Sequence, residues 1–167
     1  MEKKSSTLRF IYPQWQGGIV DHWMSDIPAE DSSRGYYLGA QLLNYLAPQT
    51  NQKTVEVPVS LDINDRAIEK GISARGVLLK QTKAALELLK ENNPDRIVTL
   101  GGECSVSVVP FTYLIGKYPD DVAIIWIDAH PDINLPYDDY KGYHAMALTA
   151  CMGMGEKHRR IKSRYPF

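Results

Sequence analysis

The chain has 167 residues, of which 44% are hydrophobic, and this is enough for one globular domain with a single core. Nineteen Lys and Arg against twenty Asp and Glu give a net charge of -1, so no global field favours nucleic acid or an anionic membrane surface. The amino-terminal segment is interrupted by polar residues such as Arg9, and the longest apolar run, residues 122–127, is too short to span a bilayer. We therefore expect a cytoplasmic protein without nucleic-acid or membrane partners, in which Cys104 and Cys151 are reduced.

The first half of the chain predicts two strands and one helix. Residues 8–12 (LRFIY) form a short, mostly apolar run closed by Pro13, which predicts a strand, and residues 33–46 predict a helix. Residues 55–59 are rich in β-branched side chains and predict a second strand. Pro58 lies within that run, so the strand should be an edge strand or should end there.

The second half continues the alternation of helices and strands. Between residues 73 and 92, apolar side chains recur at helical spacing with lysines opposite, and Asn-Asn-Pro ends the predicted helix. Residues 97–100 predict a short strand and residues 105–116 a helix. Residues 122–127 (VAIIWI) are apolar at every position, which is typical of a strand covered on both faces.

Strands and helices that alternate in this way form βαβ units, which predict a three-layer α-β-α fold with a mostly parallel sheet. We assign residues 1–155 to this α/β domain. Residues 156–167 contain five Lys or Arg in twelve residues and are predicted to be a disordered basic tail rather than an anion-binding or nucleic-acid patch. Functional side chains should lie at the carboxyl ends of the strands.

Three side chains that can bind a metal ion follow the last predicted strand. Asp128, His130 and Asp132 alternate along the chain, and residues two apart in an extended segment project to the same side. Carboxylate oxygen together with imidazole nitrogen suits Mn²⁺, Fe²⁺ or Zn²⁺. The pattern favours a metal site, and the competing interpretation is that acidic residues only end the strand and solvate the loop.

Three segments of the chain together resemble one enzyme family. GGECS (residues 101–105), DAHPDIN (128–134) and YHAMAL (143–148) resemble the ureohydrolases, the arginase, agmatinase and formimidoylglutamase group. The pattern of that family is a Gly-Gly-Asp-His-Ser turn, an Asp-Ala-His-x-Asp strand end and a later His among small residues. The resemblance implies an arginase-like fold, of which this chain carries the amino-terminal part, incomplete relative to the full family fold.

The resemblance also implies roles for individual residues. Asp128 would bridge two Mn²⁺ ions, His130 would bind the second ion and Asp132 would bind the first. Asn134 matches a position that helps to hold the polar end of the substrate, and His144 matches the histidine that shuttles a proton to the leaving amine. The implied reaction is hydrolysis of a linear amidine or guanidine by a hydroxide that bridges the two ions, since a metal pair lowers the pKa of bound water.

The turn that carries Cys104 differs from the family pattern. Cys104 occupies the position of a histidine that binds the first metal ion, and Glu103 occupies the position of the neighbouring aspartate. A thiolate is a softer ligand than an imidazole, so we expect the first site to be weak or lost for Mn²⁺, or shifted toward Zn²⁺.

The family also takes metal ligands from an Asp-x-Asp segment well beyond the position of His144, and no such segment occurs in this sequence. We therefore expect impaired catalysis, and the alternative function is a non-catalytic ureohydrolase-like remnant that serves as a binding or assembly module. An unpaired apolar edge beside residues 122–127 predicts a homo-oligomer or a self-associating chain.

Cys104 allows two further interpretations. Its place at a strand-to-helix turn is similar to a nucleophile elbow, which with His130 or His144 as base would make the protein a thiol hydrolase. The second interpretation is a small inert thiol packed beside a strand, which is the commonest state of a cysteine at such a position. The nearby tyrosines, Tyr140 among them, are expected only to pack in the core or at the rim of the site.

Overall fold

A computed structural model describes residues 5–154 and contains a three-stranded parallel sheet. The strands are β1 (Thr7–Tyr12), β2 (Lys53–Glu56) and β3 (Arg96–Gly101), and their order in the sheet is β2-β1-β3. The central strand β1 pairs in parallel with both neighbours. The first three predicted strands and the parallel sheet are therefore confirmed.

Four α-helices accompany the sheet in the described part of the chain: α1 (Ala29–Leu46), α2 (Arg75–Asn92), α3 (Val108–Lys117) and α4 (Ala147–Cys151). The crossover from β1 to β2 moves in one direction along the sheet, and the crossover from β2 to β3 moves back past β1. Because crossovers between parallel strands are right-handed, α1 and α2 lie on opposite faces. This arrangement gives the three layers that the sequence predicts.

The main core lies between one face of the sheet and the helices α2 and α3. Leu8, Phe10 and Tyr12 alternate along β1 and are fully buried, as expected for residues that share one face of a strand. They pack against side chains that include Ala85, Leu89, Val106, Val109 and Tyr113. The opposite face of β1 carries the buried Arg9, whose guanidinium donates to the Pro48 carbonyl beyond α1.

Two element boundaries differ from the prediction for clear physical reasons. Strand β2 ends at Glu56. The Val57 N–H still donates to the Ile11 carbonyl at 2.9 Å, but Pro58 has no N–H, so the ladder of hydrogen bonds cannot continue. Helix α1 begins directly after Pro28, earlier than predicted, and two acidic side chains in its first turn interact favourably with the helix dipole.

The predicted strand at residues 122–127 is wrong, because the structure forms no strand there. Ile125 and Ile127 are 81% and 93% exposed. Trp126 is half-buried and packs edge-on against Phe111 of α3, with 6.1 Å between the ring centroids. Burial thus alternates as in a strand, but elements of the described chain cover only one side. A strand that is apolar at every position needs other elements packed on both of its faces, and here the described elements pack on one face only.

Three further expectations concern the chain as a whole. The predicted basic tail, residues 156–167, lies outside the described residues. Within residues 5–154, no helix combines the length and the apolar character needed to cross a membrane. Cys104 and Cys151 are both free thiols.

A buried polar cluster joins the carboxyl ends of β1 and β3. The Glu103 carboxylate accepts hydrogen bonds from Gln14 Nε2 and from the backbone N and the Oγ of Ser105, all at 2.8 Å. Gln81 of α2 donates in turn to Gln14 Oε1 at 2.9 Å. Gly17 lies against the same carboxylate, and a Cβ at this position would overlap the Glu103 Oε1 atom. The cluster therefore requires a glycine at this contact.

We expect Gly17→Ala to lower the free energy of unfolding by about 1–3 kcal/mol, because the added methyl group overpacks a buried site and displaces a hydrogen-bonded carboxylate. Urea denaturation measures the change. Gly35→Ala is the matched control, since nothing lies within 4 Å of a Cβ at this exposed position in α1. Alanine is favoured over glycine in a helix by up to about 1 kcal/mol, so the control should gain stability. Equal effects of the two substitutions would contradict the packing described for Gly17.

Candidate metal centre

The turn that follows β3 is fixed by the end of β1. The backbone N of Gly102 donates to the Tyr12 carbonyl at 3.0 Å, and that of Glu103 donates to the Gln14 carbonyl at 3.1 Å. A Cβ at Gly102 would overlap the Gln14 carbonyl oxygen, so only glycine allows this close approach. The Glu103 side chain then caps the short 3-10 helix that begins at Cys104. Cys104 is thereby held at the carboxyl end of the sheet.

Three candidate ligands from two distant segments come together at this point. Donor atoms of Cys104, Asp128 and Asp132 all lie within 4.8 Å of one another, and the Cys104 thiol donates to Asp128 Oδ2 at 3.7 Å. Asp132 is only 4% exposed, and its Oδ2 atom is buried with no hydrogen-bond partner in the part of the chain that the structure describes. A buried carboxylate oxygen without a partner is costly, and a bound cation would satisfy it. The donor set therefore fits a divalent cation.

The backbone around Asp132 holds this side chain in place. The Asp132 carbonyl accepts a hydrogen bond from the Leu148 N–H at the start of α4 (3.0 Å), and the Asn134 N–H donates to the Ala145 carbonyl (2.9 Å). Asp132 has a φ of 48°, a left-handed conformation that non-glycine residues adopt rarely and that is found disproportionately at functional sites. The loop of DAHPDIN is thus attached to the YHAMAL segment through the main chain.

The cluster concentrates groups that become negative when they ionise. Burial, followed by the neighbouring carboxylates of Asp132 and Asp128, raises the pKa of the Cys104 thiol, and burial also raises the pKa of Asp132. A cation would relieve this mutual repulsion. A nucleophilic cysteine needs a lowered pKa instead, so the surroundings of Cys104 do not favour the thiol-hydrolase interpretation.

His130 and Asn134 lie beside the cluster rather than within it. The His130 side chain is 82% exposed, and its Nδ1 atom lies 4.0 Å from Asp128 Oδ1. The His130 backbone N also donates to that oxygen at 2.9 Å. The Asp128 carboxylate therefore faces Cys104 with one oxygen and His130 with the other. Asn134 is half-buried on the same loop.

His144 is held by Tyr140, which is held in turn by Trp23. Its Nε2 atom lies 2.7 Å from the Tyr140 hydroxyl, and Trp23 Nε1 donates to the same hydroxyl at 3.1 Å. Gly142 makes this possible, because a Cβ there would collide with both the Tyr140 ring and the His144 ring. An indole N–H can only donate, so the Tyr140 oxygen accepts from Trp23 and the hydroxyl proton is available to donate to Nε2. The 3-10 helix Tyr143–Met146, which carries His144, contacts the one that carries Cys104.

The protonation of His144 follows from these contacts. Burial lowers the pKa of the imidazole, which favours the neutral ring. When Nε2 accepts the Tyr140 proton, the proton of the neutral ring lies on Nδ1. Sequence analysis predicted only a packing role for Tyr140, although its position four residues before His144, with a glycine between them, is a signal that could have suggested this contact.

The fold and the site define an α/β protein with a candidate metal centre at the carboxyl end of its sheet. A model of the arginase family matches residues 36–162, and the chain belongs to that family. It is 36% identical to an arginase of Plasmodium berghei over 42% of this chain and 19% of the relative. It is 33% identical to an arginase of Staphylococcus aureus over 55% of this chain and 29% of the relative.

An arginase of Entamoeba histolytica is 25% identical over 68% of this chain and 39% of the relative. The chain thus spans between 19% and 39% of the length of these three relatives. The resemblance of the three motifs to the ureohydrolases is confirmed at the level of the family.

We expect Tyr140→Phe to release the His144 ring from the Nδ1–H tautomer, because the variant lacks the hydroxyl proton that Nε2 accepts. Nitrogen-15 chemical shifts of the ring measure the tautomer directly. The free energy of unfolding should fall by about 1–3 kcal/mol, because the variant loses two hydrogen bonds, the one to His144 and the one from Trp23. Tyr45→Phe, on the exposed face of α1, is the control and should leave both values unchanged. An Nε2–H tautomer in the unmodified chain would refute the assignment.

Proposed function

We propose that the chain belongs to a metal-dependent hydrolase of linear amidines or guanidines and contributes one part of its active site. The observation that carries this proposal is the convergence of Cys104, Asp128 and Asp132, with the buried Asp132 oxygen left without a partner in the described chain. Membership of the arginase family supports it. A cytoplasmic location and a role in arginine metabolism are part of the same proposal.

Four side chains of the chain would form the metal centre. Asp128, Asp132 and Cys104 would hold the cation, and His130 would extend the centre toward a second one, as in the binuclear Mn²⁺ site that the family resemblance implies. A bound divalent cation lowers the pKa of water and polarises the amidine carbon.

His144 and Asn134 act on the substrate itself. His144 would take up a proton released from the attacking water and pass it to the leaving nitrogen, which returns the ring to its neutral form, while Tyr140 fixes the orientation of the ring. The Asn134 side chain offers an amide donor and an acceptor to the polar end of the substrate.

A second candidate function is a non-catalytic binding or assembly module. The exposed Ile125 and Ile127 favour it, because large apolar side chains next to the site are typical of a surface that another polypeptide covers. In either case we propose that the isolated chain self-associates through this surface.

Asp132→Asn tests the hydrolase proposal. We expect the unmodified chain to retain a divalent cation after purification. We also expect it to release urea from arginine or agmatine, or formamide from formimidoylglutamate, only slowly, because this sequence lacks the Asp-x-Asp ligands of the family pattern. The variant should lose metal affinity and turnover by at least about tenfold, because it removes an anionic ligand. Asp120→Asn, at an exposed position, is the control. Bound metal without turnover of any of the three substrates would reject the catalytic role and favour the binding module.

Replacement of Ile125 and Ile127 by lysine tests self-association. We expect the unmodified chain to elute as dimers or larger species in size-exclusion chromatography with light scattering, and the double variant to be monomeric. Asn51→Lys with Gln52→Lys adds the same charge at exposed polar positions and should not change the association. A monodisperse, cooperatively melting monomer of the unmodified chain would show that this surface needs no partner.

A further inference from the structure

We infer that the centre formed by Cys104, Asp128 and Asp132 selects a thiophilic divalent cation, such as Zn²⁺ or Cd²⁺, in preference to the Mn²⁺ of the family. This inference concerns the same site as the proposed function and rests on it to that extent. It identifies the class of cation from the ligand atoms that this chain supplies.

The donor set of the cluster consists of one sulfur and carboxylate oxygens. Among residues 5–154, no ring nitrogen belongs to this group of donors, because the His130 side chain is 82% exposed and approaches only the far oxygen of Asp128. Mn²⁺ is a hard cation that prefers oxygen and nitrogen ligands, whereas thiolate selects Zn²⁺ and softer cations. Cys104 therefore decides the preference of the site.

The cluster is a built site and not a chance group of surface acids. Asp132 is buried, its Oδ2 atom lacks a hydrogen-bond partner among the described residues, and its main chain is tied to Leu148. Cys104 is held from the other side by the Glu103 turn at the end of the sheet. Two of the three ligands are thus positioned before a cation arrives, which lowers the cost of binding.

Binding through sulfur is balanced by loss of one proton. The Cys104 thiol gives its proton to solvent as the Sγ–metal bond forms, so that a thiolate and two carboxylates face the cation. No oxidant or second reactant is needed.

Cobalt absorption and metal competition test this inference with readouts that do not depend on turnover. We expect the Co²⁺-loaded chain to show a thiolate-to-cobalt charge-transfer band, and Cd²⁺ to displace Mn²⁺ completely. Cys104→Ser should abolish the band and lower the affinity for Cd²⁺ by at least about tenfold, while the affinity for Mn²⁺ changes by less than about threefold. Cys104→His should also abolish the band and shift the preference toward Mn²⁺.

Cys151→Ser is the matched control, because this second thiol is half-buried at the end of α4 and is not one of the clustered donors. It should keep the band and the metal preference. Thermal melting of each apo variant checks that the fold is retained. A band that survives in Cys104→Ser, or equal losses of Cd²⁺ and Mn²⁺ affinity in that variant, would overturn the inference.

The outcomes separate this inference from the proposed function. A Cys104-dependent band without hydrolysis of any amidine would sustain the inference and reject the hydrolase. Turnover supported by Mn²⁺ in a chain that shows no band would reject the inference and sustain the hydrolase.

Discussion

The hydrogen bonds of the buried Glu103 carboxylate hold together the parts of the molecule that form the site. Burial raises the pKa of Glu103, while the donors from Gln14 and Ser105 oppose that shift by stabilising the charged form. Gln81 connects this group to α2. A buried polar network stabilises a fold only when its members are satisfied, so the end of β1, the turn after β3 and α2 can take only one relative arrangement. Cys104 is positioned by that arrangement.

The other two ligands depend on a different support. Asp132 is fixed by main-chain hydrogen bonds to the start of α4, and Asp128 follows a segment that contacts α3 through Trp126 and Phe111. The sheet therefore positions the Cys104 sulfur, whereas α3 and α4 support the segments that carry the Asp128 and Asp132 carboxylates. The distances between the ligand atoms therefore depend on how the sheet and these helices pack against each other. The contact between the two short 3-10 helices provides part of that packing.

The sequence predicted those features that local pattern determines. The run at residues 8–12 and the alternation of strands with helices indicated the parallel sheet, and the resemblance to the ureohydrolases implied that Cys104 and Asp128 belong to one metal site. The strand predicted at residues 122–127 was wrong because burial depends on neighbouring elements, which composition does not reveal. The Trp23 to Tyr140 hydrogen bond was missed because it joins residues separated by 117 positions, and no periodicity records such a contact.

A cation at this centre would join three segments that otherwise touch through few polar contacts. Its ligands would connect the turn after β3, the segment that carries Asp128 and the loop that carries Asp132. Because the unfolded chain does not preform such a site, binding free energy becomes folding free energy, and the metal would stabilise the fold as well as the site. The segment around Asp128 should gain most, since its isoleucines are exposed and elements of the described chain cover it on one side only. Metal binding and coverage of the exposed isoleucines would therefore stabilise the same segment, and each should strengthen the other.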